Sequence, residues 1–290
     1  MSTEQVRGVA ASGWLMLACP VCGGDLVPDV QVRCFGCGAG HRFDRARQGH
    51  VTLLGGRGRH GLVADDAAMV AARFEVQSSG LYRPILDGVV AAVLEEGVLP
   101  AGGAELGGIL DCGGGTGYYA AGVLSQTPLG FGVGMDLSVY AARRAAKAHA
   151  GLVSVVADTW ERFPIRDGSV QVALVVFAPR HGAELGRVLR PDGVVMVVTP
   201  LSHHLAELSG AMRVRVDPRK EERLAASMEG FEVVSQRCVE RRVPVEAAQG
   251  RLLVGMGPGA HHAGDVDGLV LPSEVTLAVR VGVYRPVGVG

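Results

Sequence analysis

Lysine is almost missing from this sequence. Lys147 and Lys220 are the only two in 290 residues, so nearly all positive charge is carried by arginine. Aromatic residues make up only 5%. No apolar run approaches the roughly 18 residues of a membrane-spanning helix, so no membrane contact is expected. The N-terminus lacks a basic stretch followed by an apolar core, so no secretory leader is expected and the chain is assigned to the cytoplasm. The net charge of -1 excludes a global basic field for nucleic acid. Such a partner must be met by a local patch. What the chain does have is core material: 48% hydrophobic against 20% charged residues. That suits a globular fold of one large domain, or a large and a small one, and excludes disorder.

Four of the six cysteines fall in Cys19–Cys37. In a reducing compartment that clustering favours metal over disulfides. Cys19-Pro-Val-Cys22 and Cys34-Phe-Gly-Cys37 are separated by eleven residues. Two such knuckles fit a tetrahedral Zn2+ in a small zinc ribbon, one knuckle per hairpin, with the Gly-Gly-Asp segment between them as turn chemistry. Cys19, Cys22, Cys34 and Cys37 are the expected ligands. The Cys-x-x-x-His spacing leaves His41 as an alternative in place of Cys34 or Cys37. A closed four-ligand site is structural and keeps no open position for catalysis.

Beyond the knuckles, residues 31–60 hold six arginines (33, 42, 45, 47, 57 and 59) against one acid, Asp44. On a nearly neutral chain that is a concentrated positive patch. The planar guanidinium fork suits phosphate, so Arg42, Arg45, Arg47, Arg57 and Arg59 are candidate RNA contacts. A helical segment follows, opened by Asp65 and Asp66 where the dipole favours acids. Ser78–Tyr82 interrupts it, and a second helix runs over 83–94. His60, Arg73 and Tyr82 are placed near the border of a ligand cleft. These features divide the chain into a metal-binding, RNA-contacting module over 1–60, a helical connector over 61–104 and a larger domain over 105–290.

From Gly107 apolar strands alternate with helices, which predicts a doubly wound α/β fold with a parallel sheet. Its centre is Gly108-Ile-Leu-Asp-Cys-Gly-Gly-Gly-Thr-Gly-Tyr-Tyr119, a strand, an acid, a glycine-dense turn and a helix start. The glycines at 113, 115 and 117 follow G-x-G-x-G, not the G-x-G-x-x-G of dinucleotide sites. Asp111 two residues ahead suits a cationic ligand better than a diphosphate. The pattern resembles motif I of class I S-adenosylmethionine (SAM) methyltransferases. Asp136 ends the next strand, where a carboxylate holds a ribose diol. Asp158 ends the third, where it can accept from an adenine amino group, with Thr159 beside the base. Tyr118, Leu137 and Phe177 complete the expected cofactor contacts. Further strands are predicted at 170–179, 194–199 and 275–283, and helices at 139–150, 217–229 and 246–256.

Taken together, the residues resemble the large-subunit (23S) ribosomal RNA guanine-N1 methyltransferases. The matches begin with Cys19, Cys22, the Cys34/Cys37 pair, His41, Phe43, Asp44, Ala46, Gly49 and Val51–Leu54. They continue through Gly80, Tyr82 and Pro84, then Phe177-Ala-Pro179, Glu184-Leu185, Thr199-Pro200 and His204-Leu-x-Glu-Leu208. The likeness runs to about residue 257. It departs in the extra cysteine before His41, in His50 where tyrosine is usual, and in the region after Gly257. The resemblance implies a seven-stranded Rossmann-like methyltransferase domain that holds SAM, and a zinc module that docks a 23S rRNA hairpin. It also implies methyl transfer to guanine N1, in some members as self-resistance to macrolides. Loss of the N1 proton calls for a base, for which Asp158, His181 and His204 are candidates. Phe177 and Pro179 would flank a splayed-out guanine. Two alternatives stay open: a small-molecule SAM methyltransferase of secondary metabolism, and a non-catalytic zinc-ribbon RNA-binding protein. A homodimer is compatible with these features, and nothing in the residues requires one.

Overall fold

The computed structural model describes residues 13–29, 31–55, 64–96, 108–212, 220–257 and 271–287. Arg57, Arg59 and His60 lie outside these residues, as do the first twelve positions and nearly all of the 257–268 loop.

The N-terminal module is a three-stranded antiparallel ribbon of β1 (Val27–Asp29), β2 (Cys34–Gly36) and β3 (Arg42–Asp44), with β2 in the middle. Cys34 stands opposite both Asp29 and Asp44. The ribbon is not a free appendage. Leu17 bridges Ile165, Ala18 N–H donates to Pro164 O at 2.9 Å, and Arg166 N–H donates to Met16 O at 2.8 Å. The chain then enters the main sheet as β4 (Val51–Thr52), parallel to the strand at 152–156.

Helix α1 (Ala67–Ser78) starts where Asp66 accepts from the N–H groups of Ala68 and Met69, a side-chain cap of the kind that satisfies otherwise orphaned donors. Helix α2 (Arg83–Glu95) starts with Pro84 in its first turn, where a missing N–H costs nothing. Then come β5 (Gly108–Cys112), α3 (Tyr118–Gln126), β6 (Gly132–Asp136), α4 (Val139–Ala145), β7 (Leu152–Val156), β8 (Val170–Val176), α5 (Gly182–Val188) and β9 (Leu189–Pro200). The chain closes with α6 (Ser209–Met212), α7 (Lys220–Ser227), β10 (Phe231–Pro244), α8 (Ala247–Gly255) and β11 (Glu274–Pro286).

The sheet order is β10-β11-β9-β8-β5-β6-β7-β4. The strands from β9 to β4 pair in parallel, and β11 and β10 add antiparallel. The sheet therefore has eight strands, not the expected seven. The extra one is β4, which the ribbon contributes and which is too short to show a period of its own. The predicted helix at 139–150 ends at Ala145, and the arginine-rich 237–242 stretch lies inside β10.

Period-two alternation feeds two cores. Val172, Leu174 and Val176 join Ile85, Leu86 and Val89 of α2 and Tyr119 and Val123 of α3 on one face. Ala173 and Val175 join the other, where Leu17, Leu26 and Phe35 of the ribbon pack with Leu110, Val133, Leu185 and Leu224. This is why β8 is apolar but for Gln171: each side chain is covered, on one face by helices and on the other partly by the ribbon. The strand order reverses between β5 and β8, and in open sheets of this kind the crevice beyond that point takes the ligand.

Candidate cofactor cleft and metal centre

In the ribbon, Cys19, Cys22, Cys37 and His41 bring one donor atom each to within 4.8 Å of one another. Cys37 Sγ lies 3.4 Å and Cys19 Sγ 3.6 Å from His41 Nδ1, and the Cys22 and Cys37 sulfurs are 3.6 Å apart. Edges of about 3.5–3.8 Å are what a tetrahedral Zn2+ with thiolate and imidazole ligands requires, so the donor set fits zinc. Burial raises the Cys37 thiol, but hydrogen bonds from the His41 side chain and backbone outweigh it and bring it down to about 6.

Cys34, expected as a ligand, is not in the cluster; His41 takes its place. The reason is local. The 37–41 turn closes on itself, Cys37 N–H donating to His41 O at 3.1 Å, which sets the sulfur and the ring side by side. Cys34 lies three residues before Cys37, buried at the start of β2, and accepts from Arg42 Nη2 at 3.4 Å.

The arginines of the patch are not equivalent. Arg42 is also 3.6 Å from Asp29. Arg45 stacks over the Trp14 ring at 4.9 Å and donates to Gly49 O at 3.1 Å. Arg47 is exposed. Arg42 and Arg45, counted as RNA contacts, thus have partners inside the module.

The cleft is built on the β5 end. Gly113, Gly115 and Gly117 have φ of +66°, +55° and +79°, the left-handed region that favours glycine. A Cβ at Gly113 would also sit 2.7 Å from Ala178 Cβ, so the turn and the β8 end press together. Gly113 and Gly114 N–H groups donate to Met135 O, and Gly115 N–H donates to Asp136 Oδ2 at 2.9 Å. Asp136 Oδ1 accepts from Ser138 N–H at 2.8 Å. Burial raises the Asp136 carboxyl, and those two N–H bonds oppose the rise. Leu137 follows, half-buried, and Tyr118 opens α3.

Asp111 is fully buried beneath Gly114, and its Oδ2 has no hydrogen-bond partner. Burial pushes its carboxyl up to about 7; a hydrogen bond from the Ala120 backbone pulls down, and Asp136 adds to the rise. A buried, unpartnered carboxylate oxygen beside bare backbone fits a ligand that brings a cationic head, and SAM has one. Tyr119 OH is likewise buried without a partner.

Asp158 and Thr159 are buried at the end of β7, and Asp158 Oδ1 accepts from Trp160 N–H at 2.8 Å. Phe177 takes a left-handed φ of +55° at the end of β8, an uncommon backbone for an aromatic residue and the kind of strain that clusters at functional sites. Its ring lies 6.4 Å from Tyr82 and 5.7 Å from His204. His204 Nδ1 accepts from Ala278 N–H at 3.1 Å. His181 is elsewhere. It caps α5, Nδ1 accepting from Glu184 N–H at 3.4 Å, and its ring meets Phe163 at 6.1 Å.

Arg73 and Tyr82 do border the cleft. Arg73 pairs with Asp65 and donates to Met256 O at 3.0 Å, directly over Gly115. In the sequence Asp65 is a helix-start acid; in the fold it pairs with Arg73. Its backbone oxygen accepts from Ser138 Oγ at 2.6 Å, which ties the connector to the β6 end.

Comparison with known proteins now adds to this geometry. Residues 17–60 match the zinc-ribbon model described as RlmA, N-terminal, and residues 110–197 match a methyltransferase domain. A protein of Micromonospora griseorubida named for 23S rRNA (guanine-N1) methyl transfer is 42% identical, over 93% of this chain and 97% of its own. The 23S rRNA (guanine(748)-N(1))-methyltransferase of Streptomyces fradiae is 41% identical, over 93% of this chain and 96% of its own. A Bacillus subtilis relative, YxjB, named for the same chemistry, is 30% identical over 67% of each chain. With its ribbon, its class I SAM methyltransferase domain and relatives that match it almost end to end, the chain belongs to the family of 23S rRNA (guanine-N1)-methyltransferases.

Proposed function

We propose that this chain methylates N1 of a guanine in a 23S rRNA hairpin, using SAM held on the Gly113–Gly117 turn. The observation that carries the proposal is the end-to-end likeness to relatives named for that reaction, joined to a cleft whose orphaned acid fits the donor. When bound, SAM supplies an electrophilic methyl on a sulfonium. The chain's own residues do the rest. Asp136 stands where it can take a ribose diol while the Gly115 and Ser138 N–H groups hold its carboxylate in place. Asp158 and Thr159 line the base side, and Leu137 and Tyr118 the edges. Phe177, with Tyr82 and His204 around it, forms an aromatic mouth for a splayed-out guanine. Alignment of N1 with the methyl is the main work of such a site.

The N1 proton has to leave. A neutral histidine whose Nδ1 accepts a backbone N–H carries its own proton on Nε2 and is a donor there, not a base. That argues against His181 and His204. Asp158 remains an acceptor. It cannot serve the adenine amino group and the N1 proton at once, so Asp158→Asn separates the roles: weaker SAM binding marks the first, lower kcat with unchanged binding the second.

In this proposal residues 1–60 form the RNA-contacting module, 61–104 the connector that covers the cleft and 105–290 the methyltransferase domain. The enzyme works in the cytoplasm, where ribosomal RNA is. The relative named for guanine 748 makes that nucleotide the expected target, with macrolide resistance as the outcome in a cell. Light scattering decides between one copy and a homodimer.

The test is transfer of tritiated methyl from SAM to bacterial 23S rRNA, mapped by reverse transcription, which a methyl on the pairing edge of guanine arrests. A single stop at one guanine is expected. Label confined to small metabolites would overturn the proposal.

A further inference from the structure

Arg73 belongs to α1, and its guanidinium lies over the middle glycine of the turn. A Cβ built on Gly115 would meet Arg73 Nη1 at 3.6 Å and Cδ at 3.7 Å. The head is held by two groups, the Asp65 carboxylate of the connector and the carbonyl of Met256, which caps the end of α8. It is close enough to Asp136, Tyr82 and Tyr119 for its charge to favour the ionised form of each. Near the same turn lies the Asp111 carboxyl, fully buried with one oxygen unpartnered. A cation and an anion thus flank one stretch of bare backbone. That is the complement of a free α-amino-acid head, which carries one carboxylate and one ammonium.

We propose that Arg73 reads the α-carboxylate of the methyl donor by exchanging Asp65 for it, while Asp111 faces the donor's ammonium. This rests on the assignment of the glycine turn to SAM. The exchange is carboxylate for carboxylate, so the guanidinium keeps a charged acceptor throughout and is never left buried and bare. Only a side-chain rotation of Asp65 is needed. Its backbone stays anchored, because Ser138 Oγ donates to its carbonyl oxygen and the next residue, Asp66, caps α1. The planar fork of Arg73 can hold a carboxylate with one edge and keep Met256 O with the other. Donor binding is thereby tied to the connector helix: the head of SAM replaces a bond within the protein that otherwise pins the start of the connector.

The test is calorimetric titration of the full-length zinc-loaded protein, without RNA, with SAM and with decarboxylated SAM. Loss of a charge-assisted pair reads as about a 10- to 50-fold change in Kd. Arg73→Met should weaken SAM by that factor and leave decarboxylated SAM within about twofold, so the preference for the carboxylate disappears. Asp65→Asn removes the internal competitor and should tighten SAM severalfold, with no effect on decarboxylated SAM. Equal weakening of both ligands by Arg73→Met would show Arg73 to be a strut for α1 and overturn the inference. An unchanged SAM affinity would overturn it too. If Arg73→Met does not fold, Arg73→Lys and Asp65→Asn carry the same comparison, and a SAM affinity reduced by Asp65→Asn counts against it. Failure of the wild-type chain to bind SAM would end both this inference and the donor assignment. Intact discrimination with no rRNA methylation would end only the proposed reaction.

Discussion

The metal centre and the cofactor cleft are assembled in opposite ways. One knuckle, Cys19–Cys22, and one turn, Cys37–His41, supply every donor of the cluster, and the turn alone sets two of them side by side. The cleft takes its polar groups from segments as far apart as Asp65, Asp111, Asp136, Asp158 and His204, which only the sheet brings near one another. The ribbon's strands are three residues long and bury only Cys34 and Phe35 fully, so a bound ion has to add to what little core they supply. The cleft has core to spare, and places a carboxylate in it at a cost in stability. A local site fails when one ligand is lost. A dispersed site loses function piecemeal.

The sharpest way to break this contrast is to remove metal ligands. Cys37→Ser should abolish zinc binding, disorder the ribbon and weaken RNA binding by on the order of 100-fold, while SAM affinity stays within about threefold. Cys34→Ser should keep one zinc per chain, because that sulfur only accepts from Arg42, a bond a hydroxyl can replace. Zinc stoichiometry beside the two binding assays checks both. Zinc lost from Cys34→Ser and retained without Cys37 would reverse the ligand assignment. A fall in SAM affinity matching the fall in RNA affinity would erase the contrast, since the ribbon shares a core with β5, β6 and β8.

Asp111 tests the other side. Its folded pKa is raised to about 7, above the unfolded value, so the folded state without ligand binds the extra proton between those values. That contribution to stability is present below about pH 4 and is lost as pH rises through 7; the full linkage amounts to roughly 4 kcal/mol. Asp111→Asn should therefore raise the melting temperature of the ligand-free protein at pH 8, where the buried charge is costly, and weaken SAM binding. For the wild type, SAM affinity should climb as pH rises from 6 to 8, because the cationic head needs the ionised carboxylate. Melting curves and titrations across that window check the signs. A variant less stable at pH 8 would show that the carboxylate is satisfied within the protein.

Much of the sheet could be read from the chain, because parallel strands covered on both faces are almost wholly apolar runs, and acids at or just beyond their ends stand out: Asp111, Asp136 and Asp158 all appear there. The glycine turn was legible for the same reason. The fourth metal ligand was not. Cys34 and His41 both satisfy workable spacings, and the choice is made by strand pairing, which fixes Cys34 opposite Asp29 and Asp44. β4 is two residues long and carries no period. Asp65 looks like any acid at a helix start, and only the fold reveals that it meets Arg73. The strained backbone of Phe177 leaves no mark in residue identity.

The arginine patch differs residue by residue, and the smallest and most local effects are expected there. Charge density along 31–60 treats Arg45 and Arg47 alike, whereas the structure separates them. Both are exposed, but Arg45 lies over Trp14, loses part of its hydration there and bonds Gly49 O. Arg45→Ala should cost about 1 kcal/mol of stability through the lost cation–π contact and leave the salt dependence of RNA binding unchanged. Arg47→Ala should leave stability within about 0.5 kcal/mol and lower the slope of log K against log salt by about one phosphate contact. Melting curves and filter binding at several salt concentrations measure both quantities. The same slope change in both variants, with no loss of stability in either, would mean that Arg45 leaves Trp14 for RNA, so that the ribbon's aromatic anchor is itself part of the binding face.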